Sequence, residues 1–215
     1  KLDKGIDTFK KALAEDPDFF MADYQLAVYY LLNRDPDNFK TYADAAINSK
    51  TKLSNAEQLL KDALVTVNQG HLDVTEVGKK LVDMYPKDPN SYSDLINFQS
   101  LAGDSTDMVT TIQQAIKIAP DPAPFYNQLG YAYLALNESD NAEKAFDKYI
   151  ELEPDNPNVY DSKGDYYMYI KKYDMAYDSY MKANSMDPSF SRDKAEVARQ
   201  LYEQTSGQRL QRISI

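Results

Sequence analysis

The only histidine is His71, in the run NQGHLD, and the chain has no cysteine. Without a second imidazole or any thiol, nucleophilic triads, thiolate zinc sites and histidine-based metal sites lack the residues to build them. His71 follows Gly70 in a stretch that reads as a loop between helices, and it is read as a solvated loop residue. Asp16-Pro17-Asp18 and Asp35-Pro36-Asp37 offer carboxylates for calcium, but the ligand spacing of an EF-hand loop is absent. These aspartates stand where helices begin, where a carboxylate caps free N–H groups and meets the positive end of the helix dipole. Asn137-Glu138-Ser139 fits a glycosylation sequon and equally fits an ordinary turn between two helices. No phosphate-binding glycine loop, nucleophile elbow or HExxH occurs. The sequence therefore predicts no catalytic, cofactor-binding or metal-binding residue, and a protein that is not an enzyme.

What remains is binding chemistry. Asparagine and glutamine amides both donate and accept hydrogen bonds. Tyrosine is abundant at 18 residues, and the stretch GDYYMYIKKYDMAYDSYM at 164–181 alone holds six of them. With 43% hydrophobic and 12% aromatic residues, the 215-residue chain has ample material for a folded core. A net charge of −10 and a pI near 4.6 argue against nucleic acid, whose phosphates demand clustered Lys and Arg, and against an anionic membrane surface. A charged partner would be basic. No apolar run approaches the roughly 18 residues that span a bilayer, so no membrane insertion is expected. A soluble protein of either the cytoplasm or an exported, periplasmic setting fits these features. The chain opens on Lys1 with no signal-peptide pattern, which points to further residues upstream.

The elements that position these side chains declare themselves through a repeat. Pro86, Pro120, Pro154 and Pro188 stand 34 residues apart, and Pro17 lies 69 residues before Pro86, two periods plus one. The residues after each proline also recur, as PKDPNSY at 86, PDPAPFY at 120 and PDNPNVY at 154. The most legible unit reads Tyr126-x-x-Leu129-Gly130-x-x-Tyr133, then Ala142-x-x-x-Phe146, then Pro154. The next runs Tyr160, Gly164, Tyr167, Ala176, Tyr180, Ala183 and Pro188. Small residues allow two helices to approach, aromatics fill the space opposite, and the proline ends the second helix.

This pattern resembles the tetratricopeptide repeat, with tyrosine in place of the usual first tryptophan. The resemblance covers roughly residues 4–188 and is strongest from 86 onward. It implies an all-α fold, a right-handed α-solenoid (superhelix) of about five helical hairpins plus a C-terminal capping helix. Each hairpin is too small to bury its apolar face alone, so neighbours must stack. The expected units are residues 19–52, a degenerate 53–88, then 89–122, 123–156 and 157–190, with the cap at 191–206. Residues 1–18 match the second helix of a unit whose first helix is missing, with Phe9, Ala12 and Leu13 facing a partner. Either the chain continues upstream or this helix is an improvised cap, and the first reading is favoured. Residues 207–215 are basic, and Leu210, Ile213 and Ile215 alternate as in an extended tail. The truncated first unit or this tail offers a route to a homo-oligomer, and the tail is long enough to reach a groove.

In the family, first helices line a concave groove. Matching positions here are Asn90, Asp94 and Asn97, then Asn127, Gln128 and Tyr131, then Asn158, Asp161, Ser162, Asp165 and Tyr169, with Arg192 and Arg199 from the cap. Residues 19–52 add Tyr24 and Gln25. This lining has asparagines but no matching lysine, so it departs from the clamp with which some family members grip a C-terminal carboxylate. The resemblance thus implies an interaction module or scaffold that binds a peptide segment or partner protein, neutral to basic, in the groove. Alternatives are a glycan or small-molecule site stacking on Tyr131 and Tyr169, or a structural, oligomerising segment of a longer protein. In this register Tyr167, Tyr173, Tyr177 and Tyr180 are core, Tyr166 packs on a neighbouring helix, and only Tyr169 of that stretch faces a ligand.

Overall fold

In the computed structural model, residues 2–213 are described, with side chains from Gly5 to Ser206. Among the described residues there are twelve α-helices and no strand. They are α1 (Leu2–Glu15), α2 (Phe20–Leu32), α3 (Pro36–Asn48), α4 (Asn55–Asn68), α5 (Thr75–Met84) and α6 (Pro89–Ala102). Next come α7 (Ser105–Ile118), α8 (Ala123–Ala135), α9 (Ser139–Leu152), α10 (Pro157–Tyr169), α11 (Tyr173–Met186) and α12 (Arg192–Ile213). The chain divides into two compact units, residues 1–111 and 112–215.

Helix starts follow the capping logic of the sequence. The Asp35 carboxylate accepts from the Asn38 N–H, Asp88 from Asn90, and the Asn156 side-chain oxygen from Asn158, each with a proline opening the helix. Ser54 and Glu57 form a reciprocal capping box on α4. First helices end by a common device. Arg34, Gly103, Asn137 and Lys171 have φ of 58°, 75°, 59° and 61°, and the last three are 34 residues apart. After each, an N–H turns back to the carbonyl five residues earlier at 2.9 Å, in Asp35→Tyr30, Asp104→Gln99, Glu138→Tyr133 and Lys172→Tyr167. A left-handed residue closing a helix in this way satisfies carbonyls the helix leaves free.

In residues 1–111, one core joins Phe20, Tyr24 and Ala27 of α2 to Ala43 and Ala46 of α3, to Leu60, Ala63 and Leu64 of α4, and to Leu81 and Phe98. α2 and α3 pack along their length, whereas α4 and α5 touch only lightly. The close partner of α5 is α6. A Cβ on Gly78 would stand 2.8 Å from the Leu95 Cα, so glycine is what lets these two backbones meet. This close pair therefore straddles the boundary expected at residue 88. The long connection after α4 and the shortness of α5, ten residues, separate it from α4.

In residues 112–215, α8 packs on α9, α10 on α11, and α11 on α12. A Cβ on Gly130 would lie 2.6 Å from the Phe146 ring, and one on Gly164 would overlap the Tyr180 ring. Ala142, Phe146, Ala176, Tyr180 and Ala183 are buried around these contacts, as the repeat predicts. Ala195 and Ala198 of α12 close over Ala176 and Tyr180. Where repeat register puts Leu129 in α8, α10 has Lys163, which is also buried. Its ammonium pairs with Asp147 at 2.6 Å and lies over the Tyr166 and Tyr167 rings, so the buried charge is compensated.

α12 runs on to Ile213, so the backbone of residues 207–213 is helical where an extended tail was expected. Leu210 and Ile213 stand three apart, a spacing that fits one helix face as well as strand alternation, and no proline interrupts the run. The side chains of residues 207–215, and with them the expected reach of this segment to a groove, lie outside the described residues.

Candidate functional site

Four of the expected groove residues, Tyr131, Asp161, Ser162 and Asp165, meet in one cluster of the second unit. Asp165 of α10 accepts a hydrogen bond from the Tyr131 hydroxyl of α8 at 2.7 Å and another from Tyr180 of α11 at 2.7 Å. One turn earlier, Asp161 accepts from the Ser191 hydroxyl, just before α12. The Lys194 ammonium bridges both carboxylates, 2.9 Å from Asp161 Oδ2 and 2.9 and 3.1 Å from the two Asp165 oxygens. Each of the four carboxylate oxygens thus already accepts a hydrogen bond. Partial burial pulls the Lys194 ammonium down, but the two aspartates outweigh it and hold it above the ordinary lysine range. Burial, reinforced by the Asp165 charge, pushes the Tyr131 and Tyr180 hydroxyls far up, so they act as donors.

Ser162 belongs to the same cluster but is buried. Tyr131 has its hydroxyl engaged by Asp165 while the residue stays 38% exposed, its ring propped edge-on by Phe146 at 5.2 Å. Tyr169 is arranged alike. Its hydroxyl donates to Asn137 Oδ1 at 2.6 Å, in the turn after α8, and 43% of its surface is open. Asn127 and Gln128 lie one turn before Tyr131 on the same face of α8. Asn127 Oδ1 and Gln128 Oε1 are buried and accept no hydrogen bond from any described residue.

The other expected residues are not brought to this cluster. Asn158 donates to the Tyr149 hydroxyl at 3.1 Å and is part of the start of α10. Arg199 pairs along its own helix with Glu196 and Glu203, and Arg192 is exposed. In the first unit Asn90 is exposed and Asn97 half-buried. Asp94 accepts from Tyr24 at 3.3 Å, and burial pushes its carboxyl up to about 7. Tyr24, expected on the groove, is instead core at 1% exposure, because its ring stacks on Phe20 and only its hydroxyl reaches a polar group. Of the tyrosines at 164–181, Tyr166 is as deeply buried as Tyr180, while Tyr167, Tyr173 and Tyr177 are half-buried.

Sequence reasoning missed Ser191, Lys194 and the partner role of Asn137. A signal existed for Lys194, since Tyr92, Tyr126, Tyr160 and Lys194 fall at 34-residue steps. A lysine in an aromatic register position needs a counter-charge. Among the described residues no group of three or more His, Asp or Glu could hold a metal ion, and no helix is long and apolar enough to cross a membrane.

The sequence profile of the tetratricopeptide repeat matches residues 123–156 and 157–190, the two hairpins that build this cluster. Residues 123–190 are two tetratricopeptide repeats. The tetratricopeptide fold extends well beyond them. TTC0263, a thermophilic TPR protein of Thermus thermophilus, superposes with a TM-score of 0.61 at 21% identity, over 85% of this chain and 98% of that one. A structure of MamA superposes with a TM-score of 0.54 at 26% identity, over 72% of this chain and 94% of that one. The sequence matches none of the curated proteins.

Proposed function

We propose that the chain is a non-enzymatic interaction module that binds a peptide segment of a partner protein along the α8–α10 face of residues 112–215. The tetratricopeptide fold is a protein-interaction scaffold, and the face adds the chemistry. The observation that carries the reading is the pair of unpaired amide oxygens on Asn127 and Gln128. A buried acceptor without a partner costs about 1–3 kcal/mol, and an amide held by no described residue can rotate outward to accept an N–H from an extended backbone. Tyr131 and Tyr169 supply ring surface beside them.

The test is a selection of peptides from a random dodecamer library displayed on phage, using the whole chain as bait. Selected peptides are then titrated against the parent and the Asn127→Ala/Gln128→Ala variant. We expect the variant to bind at least roughly tenfold more weakly with no loss of melting temperature, since the removed acceptors were unpaired. Equal affinity for parent and variant sinks this reading.

A further inference from the structure

The cluster at Asp165 bears on what kind of segment this face takes. From the sequence, the acidic lining at Asp161 and Asp165 is expected to favour a neutral to basic ligand. Yet Lys194 spans both carboxylates, and Tyr131, Tyr180 and Ser191 donate to the remaining oxygen sites. A basic side chain arriving from outside would have to displace an ammonium tethered to the same chain. Its effective concentration favours the tethered competitor. The surface left open is different in kind. Tyr131 and Tyr169 have their hydroxyls bound to Asp165 and Asn137, which fixes the orientation of two exposed aromatic side chains. Rings immobilised before binding lose little further freedom when a ligand covers them. Ring faces reward apolar contact, and the neighbouring amides reward backbone N–H groups.

We infer that the ligand of this face is an extended segment carrying apolar rather than basic side chains on the Tyr131 and Tyr169 rings, and that Lys194 sets this preference by filling the Asp161–Asp165 notch from within the chain. The inference rests on the peptide-binding reading. Lys194 is here a specificity-determining residue that touches no ligand. Removing its charge leaves two carboxylates one helical turn apart with hydroxyl donors but no cation, an arrangement that favours an added positive charge.

The same dodecamer library decides the matter when selections are run side by side on the parent, Lys194→Met and Lys194→Arg, each checked for an intact helical melting transition. On the parent we expect enrichment in Pro, Leu and other apolar residues, and binding that barely changes between low and high salt. On Lys194→Met we expect Lys and Arg to rise by roughly fivefold or more among selected peptides, with binding that weakens as salt is added. Lys194→Arg keeps the charge and should select like the parent, which also guards against a folding defect in the methionine variant. Parent peptides rich in Lys or Arg, or identical compositions on the parent and Lys194→Met, overturn the inference while leaving peptide binding intact. Failure to enrich any peptide overturns the binding reading itself, and this inference with it.

Discussion

The Tyr131 hydroxyl of α8 meets the Asp165 carboxylate of α10 at 2.7 Å, across one full repeat of 34 residues. This bond ties two neighbouring hairpins through a position assigned to ligand binding. Tyr131→Phe keeps the ring against Phe146 and removes only the donor. A hydrogen bond to a charged acceptor contributes about 1.5–3 kcal/mol, and solvent at this half-open site lowers that to about 1. Urea denaturation should report a loss of that size. No loss would mean that Tyr180 and Lys194 alone hold Asp165.

Glycines of the same helical context should respond in opposite ways. A Cβ at Gly164 runs into the Tyr180 ring, which is 2% exposed and has no room to retreat. Gly164→Ala should cost about 1–3 kcal/mol by overpacking. At Gly5 in α1 nothing lies within 4 Å of the added carbon. Alanine there should stabilise the helix by up to about 1 kcal/mol, from propensity alone. Thermal melts of the two variants should shift in opposite directions, and a destabilising Gly5→Ala would contradict the open space around it.

How much of this was readable beforehand follows from which forces repeat. Steric matches such as Gly130 with Phe146 and Gly164 with Tyr180 recur every 34 residues, so the sequence exposes them as a pattern. The left-handed turn residues recur as well but hide, because Gly103, Asn137 and Lys171 share a conformation and not a side chain. The cluster at Asp165 was half legible. Its carboxylates and Tyr131 sit at family groove positions, but what they do depends on Lys194 and Ser191, which join through tertiary geometry that no period encodes. The same blindness applies to Tyr24, whose register suggested a groove while its burial made it core. The α5–α6 pairing escaped because the long connection after α4 breaks the period where it would have been informative.

The turn residues give a prediction with a definite sign. Lys171 is held at φ 61°, a region costing an L-residue about 1 kcal/mol relative to glycine. Lys171→Gly should therefore stabilise the chain by about 0.5–1 kcal/mol, and Gly103→Ala at φ 75° should destabilise it by about 1. Differential scanning calorimetry on the two variants checks both. A stabilising Gly103→Ala would show that the backbone there relaxes out of the left-handed region.

The first unit should carry a pH dependence opposite in sign to that of an ion-paired carboxylate. Burial pushes Asp94 up to about 7 and Asp23 up to about 6, in each case against an unfolded value near 4. The folded state then binds more protons than the unfolded state between those values, so stability falls as pH rises from about 4 through about 7. Below about 4 the carboxyls are protonated in both states and these two groups no longer change the balance. Asp94→Asn keeps an oxygen that accepts from Tyr24 and cannot ionise. Chemical denaturation of the parent and variant at pH 4 and pH 8 should show the variant gaining on the order of 1–3 kcal/mol at the higher pH and little at the lower. A parallel pH response in parent and variant would mean that water or a cation reaches Asp94 in the folded protein and that its proton is lost at the ordinary carboxylate range.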